Sequence, residues 1–429
     1  MQNVKGTSAY RAEEQQLRNK IRSVLERQFA LYDFEPVETP ILNEQSLLAS
    51  KYAGGEEILK EMYVLSDQGG RSLGLRYDLT VPFANLVASS PGLPMPYKRY
   101  EIGKVFRDGP TKRGRMREFT QCDADVAGVK GPEAEAELMQ LAIGVFRALG
   151  IEIVIRWNNR RFLGELLGAL GVEEGWQLTV MLTLDKLDKI GVEGVMAELL
   201  EKRLDKAAAE RIATWIGAGA ADSLGELADR YGLTGKPGAE EARSLASLLD
   251  RIGLGAVCRF DPFLSRGLSF YTGTVYELFV ADGSFRSSLG SGGRYDAIIG
   301  KLVGSDDFNI PAVGLSFGLD SIMEVWSGKD AAIGQPPVVF IPLGGTMAET
   351  LQAAALFRSA GLPAAVDGGA RKLKRSIASA SARGARFIVI VGEDETANGQ
   401  IRLKDMRTGE ETAGTPEQIL LLVEKTNGA

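Results

Sequence analysis

Residues 97–128, YKRYEIGKVFRDGPTKRGRMREFTQCDADVAG, constrain the fold of this chain more than any other segment. Apolar and polar side chains alternate on either side of a turn marked by glycine and proline, which predicts an antiparallel pair of strands. Between residues 98 and 118, eight cationic side chains face three acidic ones, and 8 − 3 leaves a local charge of +5. The whole chain has a formal net charge of −6, so a hairpin this basic indicates a site for an anionic ligand.

Arginine supplies most of this positive charge, and its planar guanidinium matches a phosphate group through two parallel hydrogen bonds. On the returning strand, Phe119, Gln121, Asp123 and Asp125 share one face, because side chains alternate sides with a period of two. A solvated basic surface explains the charge alone equally well. The amide and the carboxylates behind the arginines favour a site that holds a phosphorylated nucleotide together with an amine.

Three segments of this hairpin, Phe106-Arg107, residues 113–119 and Gln121-Cys122-Asp123, resemble motif 2 of the class II aminoacyl-tRNA synthetases. The form of the motif is that of histidyl-tRNA synthetases. The resemblance implies an α+β fold, in which a class II antiparallel sheet with flanking helices carries a helical insertion and is followed by a C-terminal α/β anticodon-binding domain. It also implies ATP-dependent activation of L-histidine to histidyl-adenylate and transfer of the histidyl group to tRNA(His).

The composition limits the chemistry that the chain can perform. It has 429 residues and no histidine, which excludes Ser-His and Cys-His nucleophilic mechanisms and histidine-ligated metals. Its two cysteines are too few for a disulfide framework or a cysteine-rich zinc site. Adenylate formation suits the remaining residue types, since it depends on positioning and charge neutralisation, with ATP as substrate and Mg²⁺ carried on its phosphates.

The sequence also bears on location. It contains no apolar run of membrane-spanning length, and its first residues lack the apolar core of a signal peptide. These features predict a cytoplasmic protein without membrane contact.

Two further segments carry the resemblance. The sextet LRYDLT at 75–80 resembles a family signature that precedes a helix, although alone it fits any helix start with Asp78 near the cap. Residues 265–279, SRGLSFYTGTVYELF, resemble a segment peculiar to histidyl-tRNA synthetases among class II enzymes. The structural alternative for this segment is an exposed Arg266 and a core Tyr271.

The resemblance implies a role for each matching residue. The residues expected to be catalytic are three arginines that neutralise phosphates or stabilise the developing adenylate: Arg107, Arg115 and Arg266. ATP contacts are expected from Arg107, Arg115, Arg117 and Phe119. Histidine contacts are expected from Asp78, Thr80, Gln121, Asp125, Arg266, Phe270, Tyr271 and Tyr295. Within that set the amino group is assigned to Asp78, Thr80 and Gln121, and the imidazole to Asp125, Tyr271 and Tyr295. No metal site built from protein side chains is expected.

The sequence departs from the family pattern at two places. Ser269-Phe270 replaces the usual Asp-Tyr, which removes a carboxylate and a hydroxyl beside the histidine pocket and leaves Phe270 as a wall. Residues 312–322, AVGLSFGLDSI, resemble motif 3, a strand that runs into a helix. Ser321 stands where the adenine-flanking arginine of this motif is expected, which predicts weaker ATP binding.

The predicted organisation has three parts. They are a catalytic domain at 1–325 with a helical insertion at about 170–255, a linker at 326–336, and the anticodon-binding domain at 337–429. An amphipathic helix within 8–31 and the extended segment after it resemble motif 1, which in the family forms the interface of a homodimer.

Two local predictions complete this organisation. Residues 288–296, SLGSGGRYD, are predicted to form a glycine-rich turn against the ligand. From residue 338 onwards, strand and helix patterns alternate and predict a small parallel-type sheet. A run of cations at 371–386 without an acid is a plausible phosphate-contacting face for tRNA.

Two other functions fit the same residues. One is a regulatory paralogue, resembling the subunit that controls ATP phosphoribosyltransferase, which would bind histidine without aminoacylation. Ser269, Phe270 and Ser321 favour it, whereas the intact arginines and the C-terminal domain argue against it. The other is an enzyme that activates an amino acid for a carrier other than tRNA.

Overall fold

The structure is a computed structural model of the chain, and it forms two compact units, residues 1–329 and 330–429. The residues that it describes are 3–49, 60–111, 116–218, 223–266, 270–302, 309–326, 338–368 and 372–427. Apart from Trp326, the predicted linker at 326–336 lies outside the described residues.

The first unit is built around a large sheet. The strands of this unit are β1 (Glu35–Pro36), β2 (Leu42–Glu44), β3 (Val64–Ser66), β4 (Ser72–Leu75), β5 (Tyr97–Phe106), β6 (Glu118–Ala127), β7 (Ile153–Asn159), β8 (Cys258–Phe260), β9 (Thr274–Val280), β10 (Gly290–Arg294) and β11 (Ala312–Gly318). Eight of them form one sheet in the order β1-β5-β6-β11-β10-β9-β7-β8. Neighbours are antiparallel except for the pairs β1–β5 and β7–β8 at the two edges. The predicted antiparallel sheet is therefore confirmed.

Helices flank this sheet and extend from it. They are α1 (Ala12–Leu31), α2 (Gln45–Ala49), α3 (Thr80–Ala88), α4 (Glu133–Ala148), α5 (Arg160–Ala169), α6 (Glu174–Leu184), α7 (Leu187–Glu201), α8 (Lys206–Gly217), α9 (Leu224–Arg230), α10 (Pro237–Arg251), α11 (Ala297–Leu302) and α12 (Leu319–Trp326). The helices predicted within the segment at about 170–255 are present as α6 to α10. No helix in the described part of the chain combines the length and the apolar character needed to cross a membrane.

The predicted hairpin is formed by β5 and β6, with Tyr97 opposite Ala127 and Phe106 opposite Glu118. The two faces of the hairpin contact different helices, because successive side chains point to opposite sides. On one face, Tyr100 stacks on Phe29 of α1 at 4.8 Å between ring centroids. On the other face, Tyr97 stacks on Phe83 of α3 at 6.3 Å. The polar side chains at 121, 123 and 125 share this second face, between α3 and the rest of the sheet.

The prediction of a glycine-rich turn at 288–296 is wrong, because these residues contain the interior strand β10. Gly292 and Gly293 pair there with Tyr276 and Val275 of β9. A Cβ on Gly292 would lie 2.0 Å from the carbonyl oxygen of Gly314, and one on Gly293 would lie 2.5 Å from that of Thr274. Glycine is therefore required by close packing within the sheet, which a sequence pattern of glycines does not distinguish from a turn.

A second, three-stranded sheet has the order β2-β4-β3, with antiparallel pairings. It leaves large apolar side chains exposed to between 43% and 52%: Ile41, Leu42, Val64 and Leu65. An apolar surface of this kind is typical of a protein contact.

The second unit has its own core around a five-stranded sheet. Its strands are β12 (Val338–Pro342), β13 (Ala364–Val366), β14 (Phe387–Val391), β15 (Ile401–Asp405) and β16 (Glu411–Gly414), and its helices are α13 (Met347–Ser359), α14 (Leu373–Ala382), α15 (Glu393–Ala397) and α16 (Pro416–Asn427). The strand order is β13-β12-β14-β15-β16, and only the pairs of β12 with β13 and β14 are parallel. The expected parallel-type sheet is thus wrong for β15 and β16, whose short connections allow antiparallel pairing.

Candidate active site

A cavity of about 270 Å³ opens on the face of the large sheet that carries the polar side chains of β6. Its lining residues that were predicted from the sequence are Asp78, Thr80, Arg107, Phe119, Gln121, Arg266, Phe270 and Tyr271. Residues from β6, β10, β11 and the start of α3 converge here, so one cavity collects motifs that lie far apart in the chain. Asp123, Ser291 and Ser316 also line it.

One end of the cavity is cationic. Arg107, directly after β5, donates from Nε to the carbonyl oxygen of Tyr77 at 3.0 Å, and its guanidinium lies 5.1 Å from the ring centroid of Phe119. These contacts fix the arginine against the cavity wall. Arg117 is placed differently, since its Nη2 lies 3.2 Å from Asp108 Oδ1 and it is not among the described lining residues. Arg115 lies outside the described residues.

Arg266 is the second cation of the cavity. Its Nη1 donates to Glu277 of β9, and its backbone has a φ of +52°. Burial lowers the pKa of Arg266, but Glu277, Tyr271 and Asp185 together raise it above its ordinary value, so the guanidinium stays charged. The preceding residue, Ser265, donates from Oγ to the carbonyl oxygen of Met181 in α6 at 2.6 Å. This bond ties the backbone at Arg266 to the helical insertion.

The opposite side of the cavity presents acceptors. Asp78 Oδ1 accepts from the backbone N–H groups of Thr80 and Val81, each at 3.1 Å, at the start of α3. Asp78 therefore has the capping role that was the alternative interpretation of its motif. Asp78 also lines the cavity. Gln121 Nε2 donates to Ser316 Oγ at 3.1 Å, and Gln121 Oε1 is buried without a hydrogen-bond partner among the described residues.

Asp123 lies deeper on the same face and is 4% exposed. Ser316 hydrogen-bonds to its side chain, while its Oδ1 has no partner in the described part of the chain. Burial, followed by the nearby Asp125 carboxylate, raises the pKa of Asp123 to about 7. A buried carboxyl group with a raised pKa and an unpaired oxygen can accept a proton or a hydrogen bond from a ligand.

Asp125 and Tyr295 are behind the cavity and not among its described lining residues. Arg99 Nη2 lies 2.8 Å from Asp125 Oδ2, and the Tyr295 hydroxyl donates to Asp125 Oδ1 at 2.5 Å. Burial, together with Asp125, raises the pKa of Tyr295 well above its ordinary value. The contact of these two residues with histidine, expected from the resemblance, stays a prediction.

Two aromatic rings line the cavity. Phe270 and Tyr271 lie 4.3 Å apart between ring centroids. Burial raises the pKa of Tyr271, which keeps its hydroxyl protonated and able to donate. Flat apolar walls beside polar groups suit a planar heterocycle.

The sequence analysis did not single out Ser316 or Glu277. Ser316 is a hydroxyl within an otherwise apolar and glycine strand, AVGLSFG, and Glu277 is an acid within the apolar strand TVYELFV. A polar residue in a buried strand is a usable signal, because burial of such a group is costly unless it has a partner.

A larger and more open cavity of about 1290 Å³ lies between the helical insertion and β7 and β10. Four of its charged side chains are engaged in ion pairs within the protein. Arg294 binds both oxygens of Glu135 at 2.6 Å, and Arg161 Nη1 lies 2.7 Å from Glu241 Oε1. Since these pairs neutralise one another, the smaller cavity is the better candidate for chemistry. Among the described residues, no cluster of three or more acids and cysteines is placed to hold a metal ion.

The second unit contributes a basic surface on and around α14. Lys372, Lys374, Arg375 and Arg383 are exposed there. Arg386 differs from them, because its Nε lies 3.5 Å from Asp405 Oδ2 and its Nη1 donates to the carbonyl oxygen of Thr426 at 3.2 Å. Arg386 therefore serves the fold of the unit, and the other four remain available to an anionic partner. Arg371 lies outside the described residues.

Comparison with known proteins covers nearly the whole chain. Residues 6–322 match the histidyl-tRNA synthetase family, and residues 337–426 match the anticodon binding domain. A histidine–tRNA ligase of Bacillus cereus is 45% identical over 416 residues, which are 96% of this chain and 94% of that protein. A solved histidyl-tRNA synthetase from a Nostoc species has a TM-score of 0.78 at 26% identity, with 99% of both chains covered.

One further solved structure shares the fold at 20% identity, with a TM-score of 0.74 over 91% of this chain and 98% of its own. It comes from Bacillus halodurans and is described as an ATP phosphoribosyltransferase regulatory subunit/histidyl-tRNA synthetase. The family match spans most of the catalytic unit, and the ligase relative extends through both units at 45% identity. On these grounds, the chain belongs to the histidyl-tRNA synthetase family.

Proposed function

We propose that the protein activates L-histidine with ATP to form histidyl-adenylate and then transfers the histidyl group to tRNA(His). The observation that carries this proposal is the cavity itself. Arg107 and Arg266 supply positive charge, and Asp78, Gln121 and Asp123 supply acceptors, around one space of about 270 Å³. A ligand with phosphates at one end and an ammonium at the other satisfies both sets.

In the first step the histidine carboxylate attacks the α-phosphorus of ATP, and the bond to the pyrophosphate leaving group breaks. The carboxylate is already deprotonated, so the step needs no general base, which agrees with the absence of histidine from the chain. Arg107 neutralises the phosphate charge. Arg266, held by Glu277, stabilises the negative charge that develops between carboxylate and phosphorus.

In the second step a ribose hydroxyl of the tRNA attacks the carbonyl carbon of the adenylate, the bond from that carbon to the phosphate oxygen breaks, and AMP leaves with the hydroxyl proton on its phosphate. The same Arg266 guanidinium would stabilise the carbonyl oxygen as it becomes negative. Asp78, Thr80 and Gln121 keep the ammonium group fixed through both steps. The protein thereby contributes mainly orientation and preorganised charge.

Mg²⁺ is proposed to enter with ATP. The described residues offer no three-acid cluster for a resident ion, whereas the triphosphate itself supplies the oxygen ligands that Mg²⁺ prefers. The ion would neutralise phosphate charge, and Arg107 would share that role.

Partners beyond the small substrates follow from the surfaces. The exposed cations of α14 suit the phosphates of tRNA. The exposed apolar side chains of the small sheet and its edge, Ile41, Leu42, Val64 and Leu65, suit a homodimer interface near the segment that resembles motif 1. We propose that the protein acts as a cytoplasmic homodimer, as expected for an enzyme that charges tRNA.

Pyrophosphate exchange with each amino acid, followed by aminoacylation of tRNA(His), tests the proposal. Exchange that depends on histidine in the absence of tRNA, and charging of tRNA(His), is the expected result. Histidine binding without exchange would support the regulatory alternative. Exchange without charging of any tRNA would support transfer to another carrier.

A further inference from the structure

The connecting segment, residues 261–265, leads from β8 to Arg266 and is held by both the large sheet and the helical insertion. Asn158 of β7 provides the contact with the sheet. Its Nδ2 donates to the carbonyl oxygens of Pro262 at 3.1 Å and Leu264 at 2.9 Å. Asn158 is completely buried, so these bonds fix the backbone of the connecting segment against the sheet.

Two helices of the insertion also contact the connecting segment. Ser265 donates from Oγ to the carbonyl oxygen of Met181, in the last turn of α6, at 2.6 Å. The ring of Phe263 lies 4.8 Å from that of Trp215 in α8 between centroids. Ser265 is 2% exposed, so water does not compete for its hydroxyl. The residue directly before Arg266 is therefore bound to the insertion.

The end of α6 acts on Arg266 in a second way. Asp185, the residue after this helix, donates from its backbone N–H to the same Met181 carbonyl at 3.1 Å. The Asp185 carboxylate is also among the charges that act on the Arg266 guanidinium. One carbonyl group thus joins the connecting segment to the end of a helix whose charge reaches the arginine.

The backbone of Arg266 needs such support. Its φ of +52° lies in the left-handed region, which is unfavourable for a residue with a bulky side chain and persists only where the surrounding structure imposes it. The Arg266 side chain donates from Nη1 to Glu277, while its Nε is buried without a hydrogen-bond partner among the described residues. The direction of the guanidinium therefore depends on the backbone as well as on Glu277.

We infer that Ser265 is a positioning residue, whose hydrogen bond to α6 holds the backbone at Arg266 so that the guanidinium lies in the cavity. The helical insertion thereby takes part in adenylate formation, beyond its packing against the catalytic unit. The inference rests on the proposed function, since it concerns the cation of that reaction. A bond that served packing alone would affect the melting temperature and leave the rate of the folded enzyme unchanged.

The test measures histidine-dependent pyrophosphate exchange by the full-length protein at saturating histidine and ATP, well below the melting temperature of each variant. Ser265→Ala removes the donor and leaves the Arg266 side chain intact. We expect kcat to fall about 10-fold, because a small displacement of a positioned group is costly to the rate, and the KM for ATP to stay unchanged. The matched control is Thr350→Ala in the second unit, which removes a buried hydroxyl that donates to the carbonyl oxygen of Thr346 at 2.7 Å. It should leave kcat unchanged.

A double variant separates positioning from stability. Ser265→Ala combined with Arg266→Ala should be no slower than Arg266→Ala, because Ser265 acts through that side chain. Phe263→Leu loosens the other contact of the connecting segment with the insertion. It should also lower kcat, by less than Ser265→Ala, and should likewise have no effect once Arg266 is replaced. Phe263→Leu provides the test if Ser265→Ala does not fold.

Three results would overturn the inference and leave the proposed function intact. The first is a kcat for Ser265→Ala equal to that of wild type. The second is a loss of the same size when Ser265→Ala is added to Arg266→Ala, which would show that Ser265 acts independently of the arginine. The third is an equal loss in Thr350→Ala, which would reflect lost stability in general. Wild type without histidine-dependent exchange would overturn the proposed function as well.

Discussion

Arg99 Nη2 lies 2.8 Å from Asp125 Oδ2, and both side chains are buried behind the candidate active-site cavity. Removal of one partner from such a pair leaves an uncompensated buried charge, which typically costs about 3–5 kcal/mol. We therefore expect Asp125→Ala to lower the free energy of unfolding in urea by this amount. We expect this loss of stability whether or not the KM for histidine also changes.

The control for this prediction is Glu137→Ala on the other face of the hairpin. Glu137 Oε1 lies 2.8 Å from Lys98 Nζ, the same distance, but the two side chains are 35% and 20% exposed. A pair in this setting contributes about 0.2–1 kcal/mol. If Asp125→Ala were as mild as Glu137→Ala and raised only the KM for histidine, Asp125 would be a binding residue first.

A second prediction concerns the ion pair of Arg266 with Glu277. Arg266→Ala should lower histidine-dependent pyrophosphate exchange by about 10²-fold or more, because it removes a preorganised cation from the transition state. Glu277→Gln should lower exchange less, since it only loosens the guanidinium. The double variant should be no slower than Arg266→Ala, because the two residues act as one unit. Additive losses would show that Glu277 acts independently of Arg266.

The raised pKa of Asp123, about 7, predicts a pH dependence of stability. The unfolded carboxyl has a pKa of about 3.9. Between these values the native state binds more protons, so the contribution of Asp123 to the free energy of unfolding falls as pH rises and is fully lost above about 7. The groups that act on this carboxyl are Asp78, Asp125, Arg99, Tyr271 and Ser316.

Asp123→Asn keeps all of those groups and cannot ionise, so it isolates this carboxyl. Without histidine present, the melting temperature of Asp123→Asn minus that of wild type should increase from pH 5 to about pH 7 and level off towards pH 8. Thermal melts across this range measure the difference directly. A constant difference would mean that Asp123 has an ordinary pKa in the folded protein.

The sequence predicted the β5–β6 hairpin and the side chains that share one face of β6, because strand alternation is local information. It could not separate Asp123 from Asp125, which are the same residue type on the same face. What distinguishes them is Arg99 and Tyr295, which engage Asp125 from β5 and from the residue after β10. Such partners are set by tertiary contacts that span up to 170 residues of sequence.

The same limit explains the other misses. The glycines of β10 were predicted to form a turn, since their packing against Gly314 depends on a neighbouring strand. Ser316 reaches Gln121 only because β11 lies beside β6, and Glu277 reaches Arg266 only because Arg266 lies near β9. Neither contact can be read from the local sequence. Resemblance to the family supplied the cavity residues that local patterns alone left open.

The basic surface of α14 predicts a separation of tRNA charging from adenylate formation. Lys374→Ala combined with Arg375→Ala should raise the KM for tRNA(His) and reduce the salt dependence of tRNA binding by about 1–2 in log–log slope. Histidine-dependent pyrophosphate exchange should not change. Arg386→Gln serves as the contrast, because Arg386 is paired with Asp405 and its loss should affect the stability of the unit. An unchanged salt slope in the double variant would exclude this face as the tRNA contact.

The last prediction concerns Ser321, which lies in the first turn of α12 near the cavity residue Gly318. Its neighbour Asp320 is held by Arg18 and accepts from the Tyr10 hydroxyl at 3.0 Å, so the start of this helix is fixed. An arginine at 321 would stack on adenine, a cation–π contact worth about 0.5–2 kcal/mol. Ser321→Arg should therefore lower the KM for ATP by about 2- to 30-fold, while the KM for histidine stays unchanged because other strands form that end of the cavity. Ser321→Gln, a long neutral side chain, controls for size.

Two outcomes would contradict this prediction. If wild type already binds ATP tightly and Ser321→Arg changes nothing, another cation fills this role. If Ser321→Gln and Ser321→Arg lower the KM for ATP equally, the gain comes from contact area and not from charge.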